Sequence, residues 1–187
     1  MMKWIPVVLA LLLTACSSDS QKTYYQLPTL VAPASSVSNS VTTANQRQLW
    51  VESVGVADYL NNPGLVYQTT DVQYVIAANN LWASPLEQQL QQALIGNLSS
   101  ALPGWVISSR PQSSNHDVLN VTVTGFHGRY DGKVIVSGHW TLNHQRQTIT
   151  RYFSQEMIQT EDGYDALVRT LAKGWQQQAS EIAAQLK

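Results

Sequence analysis

VLNVTVTGFHGRYDGKVIVSGHWTL, residues 118–142, alternates apolar and polar side chains on both sides of Asp131-Gly132. A period of two is the mark of a half-buried strand, and Asp-Gly is favoured in two-residue type I′ hairpin turns. The stretch therefore predicts a hairpin in which Tyr130 faces Lys133, Gly125 faces Gly138, Val123 faces Trp140 and Val121 faces Leu142. Apolar residues then meet down one face, with the two glycines leaving room beside Trp140. The other face, with Thr122, Thr124, Ser137, His139 and Thr141, is polar enough to be solvated or to receive a polar partner.

Toward the C-terminus, Thr148 to Met157 reads as the next antiparallel strand. Gly163 to Leu186 then carries Leu167, Leu171, Trp175, Ala179, Ile182 and Leu186 at helical spacing, with Asp162 or Asp165 near its start and Gly174 as a place for a kink. Toward the N-terminus, Ser84-Pro85-Leu86-Glu87 has the pattern of a capping box, with Ser84 as N-cap, Pro85 first in the helix and Glu87 reaching back. Leu86, Leu90, Leu94, Leu98 and Leu102 form its apolar stripe, Gln88, Gln89, Gln91 and Gln92 lie on the other side, and Pro103-Gly104 ends it. Tyr24 to Leu27, Leu49 to Val56, Leu65 to Gln68, Val72 to Ala77 and Trp105 to Ile107 are strand candidates, and Asn61 to Gly64 is a turn. Residues 31–47, rich in Ser, Thr, Asn and Ala, have little to bury and are expected to form a mobile loop. The fold class expected is α+β: an antiparallel sheet covered on one side by two amphipathic helices.

The N-terminus belongs to a different kind of segment. Lys3 gives a positive start, Ile5 to Leu13 a short apolar run interrupted by Pro6, and Leu13-Thr14-Ala15-Cys16 fits a lipobox. The run is about half the ~20 residues that a spanning helix needs, so residues 1–15 read as a cleaved signal peptide. Cys16 is the only cysteine, which excludes an intramolecular disulfide and fits a covalent S-diacylglycerol and N-acyl modification. Several acyl chains satisfy the two-signal requirement for stable anchoring. Residues 16–23 are then a lipidated tether and 24–187 a single domain. Ser17, in place of the Asp that the familiar sorting rule requires for inner-membrane retention, points to the inner leaflet of the outer membrane, facing the periplasm.

Only 12% of the residues are Asp, Glu, Lys or Arg, and the net charge is −1; nothing here attracts nucleic acid. His127, His139 and His144 are the candidates for a metal, but the expected register puts His127 and His139 on opposite faces and His144 about 26 Å along the strand from His127, so zinc is disfavoured. Ser137-Gly138-His139 lacks the surroundings of a nucleophile, Asp131 reads as a turn residue, and Glu161-Asp162 is explained by the helix that follows. No catalytic residue, metal site or other cofactor is expected, and the chain is not expected to be an enzyme.

Tyr24-Tyr25-Gln26-Leu27-Pro28, Leu49-Trp50-Val51-Glu52, Asn80-Leu81-Trp82-Ala83-Ser84-Pro85-Leu86, Leu102-Pro103-Gly104-Trp105 and Gly128-Arg129-Tyr130-Asp131-Gly132-Lys133 together resemble the ABC-type transport auxiliary lipoprotein family, from the signal peptide to the last helix. The resemblance implies a non-enzymatic outer-membrane component of an intermembrane lipid transport system. Its partners would be a PqiB-like MCE protein that spans the periplasm and, indirectly, a PqiA-like inner-membrane protein. A cyclic homo-oligomer would suit an annular partner. A periplasmic lipid-binding carrier and a stand-alone envelope-stabilising lipoprotein remain as alternatives. Cys16 and the lipobox Leu13, Thr14 and Ala15 are the only site residues that carry over.

Overall fold

A computed structural model describes residues 21–28, 46–112, 115–144 and 147–186. Leu13, Thr14, Ala15 and Cys16, and all but the last two residues of the loop expected at 31–47, lie outside the described residues. The strands are β1 Thr23–Tyr25, β2 Gln48–Val56, β3 Gly64–Gln68, β4 Tyr74–Trp82, β5 Val106–Ser108, β6 Asp117–Arg129, β7 Lys133–His144 and β8 Gln147–Ile158. The helices are α1 Leu86–Ala101 and α2 Tyr164–Leu186, and a short 3-10 turn covers Asp58–Leu60.

The α+β class holds, and the sheet is mixed where an antiparallel one was expected. Its order is β1-β4-β3-β6-β2-β5, and β6 also pairs with β7, which pairs with β8. β3–β4, β6–β7 and β7–β8 are antiparallel, whereas β1–β4, β2–β5, β2–β6 and β3–β6 are parallel. Parallel neighbours need crossover connections, and α1 supplies the one that returns the chain from β4 to β5 beside β2. Alternation in a sequence reveals that a strand exists but carries no record of the direction of its neighbour.

The hairpin of β6 and β7 forms with a different register. Val121 faces Trp140, Leu119 faces Leu142 and Val123 faces Gly138, while Gly125 faces Ser137. Two local causes add up. First, the turn is a three-residue loop, Tyr130-Asp131-Gly132, in which the Gly132 N–H donates to Arg129 O at 3.0 Å and Gly132 takes φ +77°; a type I turn with a left-handed third residue has this form. Second, a bulge at Thr124 shifts the pairing between Val123 and Gly125. Two shifts of one restore the inward parity of Leu119, Val121 and Val123, so their apolar face survives. Between the shifts the parity is reversed: Phe126, and not His127, enters the core. Gly138 is filled by neighbours other than Trp140, since a Cβ there would collide with Thr122 O and lie 2.9 Å from Phe153 Cζ.

Both helices cover the same face. Leu86, Leu90, Leu94, Leu98 and Leu102 are buried, as are Leu167, Leu171, Trp175, Ala179, Ile182 and Leu186, each large apolar side chain contributing roughly 1.5–3 kcal/mol. Trp175 Nε1 donates to Leu90 O at 3.0 Å and ties α2 to α1. α2 runs unbroken through Gly174, which is a point of close approach and not a kink: a Cβ would collide with Met157 Cε and stand 2.9 Å from Val136 Cγ2. The capping box does not form. Pro85 is the N-cap, with no side-chain bond, and its carbonyl accepts from the N–H groups of Gln88 and Gln89. Gln89, expected on the solvent side, is buried instead; its Oε1 accepts from Leu27 N–H at 2.8 Å and its Nε2 donates to Ser84 O at 2.9 Å. The start of α1 is thus tied by Gln89 to the segment after β1 and to the Ser84 carbonyl, with no side chain capping its first N–H groups.

Candidate functional site

The topology brings three connections to one end of the sheet. β3 ends beside the end of β6, with Gln68 opposite Arg129, so the β3–β4 turn and the β6–β7 turn lie together. The chain from β8 into α2 joins them, since Gln159 N–H donates to Gly132 O at 2.9 Å. Here Arg129 forks between Asp131 and Glu156, at 2.8 and 3.0 Å, and Lys133 Nζ reaches Glu156 at 2.8 Å. Hydrogen bonding from Arg129, seconded at Glu156 by Lys133, pulls both carboxyls down to about 2. Asp131 is thus both a turn residue and an ion-pair partner. The Arg129-x-Asp131-x-Lys133 spacing hinted at this cluster, but Glu156 could be added only from the β7–β8 register.

Behind the turn is a cleft of about 300 Å³ lined by Tyr67, Gln159, Gly163, Tyr164 and Leu167, among others. Gln159 Nε2 donates across it to Glu161 O and Gly163 O. Two further depressions, of about 380 and 450 Å³, lie beside the Asn61–Pro63 turn and between β1 and α2. These volumes sit at the low end for a small-ligand pocket and fall short of a two-chain lipid.

The face of the sheet away from the helices is largely polar. Thr124 and Ser137 hydroxyls meet at 3.2 Å, Thr141 and Thr150 at 3.3 Å, and the His139 and Tyr152 rings meet at a tilt of 44° with centroids 5.5 Å apart. The three-residue turn between them puts His127 on the same face as His139, contrary to the expected opposition, with Ile135 as its neighbour and about 13 Å of strand between the two. His127 is nevertheless buried, under Tyr59 and Tyr74, with ring centroids 6.2 and 5.2 Å away. Burial lowers its affinity for a proton, opposed by the hydrogen bond of Nδ1 with Gly128 O and aided by Arg129. Tyr59 donates to Thr124 O at 2.8 Å, and burial, then Tyr74, pushes its phenol up to about 12. His144 lies at the far end of the hairpin, 2.6 Å from Asp117. Among the described residues no group of three His, Cys, Asp or Glu side chains could hold a metal, and no helix is long and apolar enough to cross a membrane.

The family model of the ABC-type transport auxiliary lipoprotein component matches residues 25–183. Over its full length the chain is 56% identical to the intermembrane transport lipoprotein PqiC of Escherichia coli strain K12, and equally to that of Shigella flexneri, covering 98% of each. A crystal structure of an uncharacterized protein, 56% identical, superposes with a TM-score of 0.79 over 89% of this chain and 99% of its own. A Xanthomonas campestris protein shares the fold at 16% identity, with a TM-score of 0.64 over 88% and 98% of the two chains. The chain belongs to the ABC-type transport auxiliary lipoprotein family.

Proposed function

We propose that this chain is the outer-membrane lipoprotein of an intermembrane lipid transport system and serves it as a non-enzymatic adaptor. The observation that carries the reading is full-length identity of 56% to relatives named intermembrane transport lipoproteins. In this account residues 1–15 are removed, Cys16 receives diacylglycerol and an N-acyl chain, and 16–23 tether the single domain 24–187 to the inner leaflet of the outer membrane. The domain docks the distal end of a PqiB-like MCE protein, and through it communicates with a PqiA-like inner-membrane protein. If the partner is annular, copies of the domain form a ring about its axis.

The packed core and the small, open clefts favour an adaptor over a carrier that encloses its cargo. Affinity purification of the full chain from solubilised envelopes containing the PqiB-like protein, with lipid mass spectrometry, tests this. Co-elution of the partner without stoichiometric phospholipid is expected; a partner-free chain carrying one phospholipid per copy would replace the adaptor by a carrier. Cys16→Ala is expected to leave a foldable domain that no longer stays with the outer membrane and fails to complement a deletion. Complementation by that variant would remove anchoring from the mechanism.

A further inference from the structure

We infer that the end of the sheet formed by the β3–β4 and β6–β7 turns is a membrane-contacting surface, which lays exposed aliphatic and tyrosine side chains into the interface of the bilayer that holds the anchor. The inference rests on the anchoring reading and adds to it an orientation and a second contact. Large apolar side chains that stand exposed are concentrated at this end and on the adjoining start of β4: Val72 at 78% and Ile158 at 74%, with Tyr130, Tyr74, Val75 and Ile76. Tyr152, in the middle of β8, and Tyr24, opposite Leu81 on the outgoing part of β4, are the exceptions. Among the described residues none stands exposed at the opposite end, where Asp117 and His144 pair. Single exposed apolar groups need no explanation, but grouping on one end does.

The chain entry identifies what covers them. β1 runs parallel to β4, with Thr23 opposite Asn80, and β4 runs away from the turns. Gln21 and Lys22 therefore lie on the side of Thr23 nearer the turns. The Tyr25 ring lies 6.3 Å from that of Tyr164 in the first turn of α2, at the same end. Gln21 is five residue steps from Cys16, a reach of at most about 18 Å when fully extended. β7 alone is 12 residues long, about 40 Å, so the tether can bring the turn end to the bilayer while the far end stands off in the periplasm.

Charge does not drive the contact. Arg129 and Lys133 are engaged by Asp131 and Glu156, and Asp71, Glu161, Asp162 and Asp165 add further negative charge against Lys22 and Arg169. Apolar burial and the amphipathic tyrosine rings, which favour the headgroup level, are what this end offers. Binding should therefore gain nothing from anionic lipid and should not weaken as salt is raised.

Since Cys16 is the only native cysteine, an introduced thiol can be labelled alone in the lipidated full chain. Val72→Cys, Tyr130→Cys and, as the far-end control, Asn143→Cys would each carry an environment-sensitive fluorophore in vesicles of phosphatidylethanolamine and phosphatidylglycerol. Quenching by brominated acyl chains at 72 and 130, but not at 143, is expected, and it should be lost at 130 when Val72→Glu and Ile158→Glu are combined. Labels at 72 and 130 as wet as the one at 143, on a chain whose Cys16 is acylated, would overturn this orientation while leaving the anchor intact. Quenching at 72 and 130 that appeared only when the PqiB-like protein was added would show that the anchored domain does not itself lay this end on the bilayer, and would overturn it too. An unmodified Cys16 would overturn both readings.

Discussion

His127 shows how far one inserted residue reaches. The Thr124 bulge turns it out of the helix-covered core and under Tyr59 and Tyr74, where burial holds its pKa below the ordinary 6.5. A group with a depressed folded value contributes in full above its unfolded pKa when the neutral form is the native one, and that contribution is lost as pH falls through the folded value. Thermal melts between about pH 7.5 and 5 should show the wild type losing stability relative to His127→Phe, which keeps a ring beside Tyr59 and Tyr74 and cannot titrate. Parallel curves would remove His127 from the linkage. A second residue-scale expectation concerns Gly138, whose missing Cβ makes room for the Thr122 carbonyl and the Phe153 ring. Gly138→Ala should cost about 1–3 kcal/mol, read as a fall in Tm, whereas Gly55→Ala, with nothing within 4 Å of its Cβ, should stay within about 0.5 kcal/mol. Neither the bulge nor the three-residue turn was legible: Asp131-Gly132 serves a two-residue and a three-residue loop equally well, and a Thr in a run of alternating residues does not announce that it is unpaired.

At the scale of elements, the helices and the long hairpin were legible because their apolar residues repeat with the period of the structure they build. The start of α1 was not, because Ser84, Pro85 and Glu87 satisfy the local pattern while Gln89 satisfies a tertiary one. Gln89→Leu should leave the Leu27 N–H buried without its acceptor, at a cost of about 1–3 kcal/mol, and amide exchange should quicken first at Leu27 and β1. Uniform loss of protection across α1 would contradict that local tie. The Arg129, Asp131, Lys133 and Glu156 cluster is exposed and screened by solvent. With both carboxyls lowered to about 2, its contribution is present above the ordinary carboxylate range and is lost as pH falls toward 2. A small difference in Tm between wild type and Glu156→Gln should shrink at high salt and vanish in acid; a difference indifferent to both would mean packing and not charge.

For the whole molecule, α+β layering followed from the order of strand-like and helix-like segments, and the family from a handful of short motifs spread over the chain. The parallel pairings of β2 with β6 and of β3 with β6 were out of reach, since they depend on which edge of β6 the returning chain meets. Strand direction in turn decides which end of the sheet lies nearest the chain entry, and so which end the anchor would draw to the bilayer. Adaptor role and orientation both depend on that anchor. Density-gradient separation of envelopes, with mass spectrometry of the mature N-terminus, tests it most directly: the chain should band with the outer membrane and begin at a triacylated Cys16, whereas a soluble chain that begins at Met1 with a free thiol would contradict it.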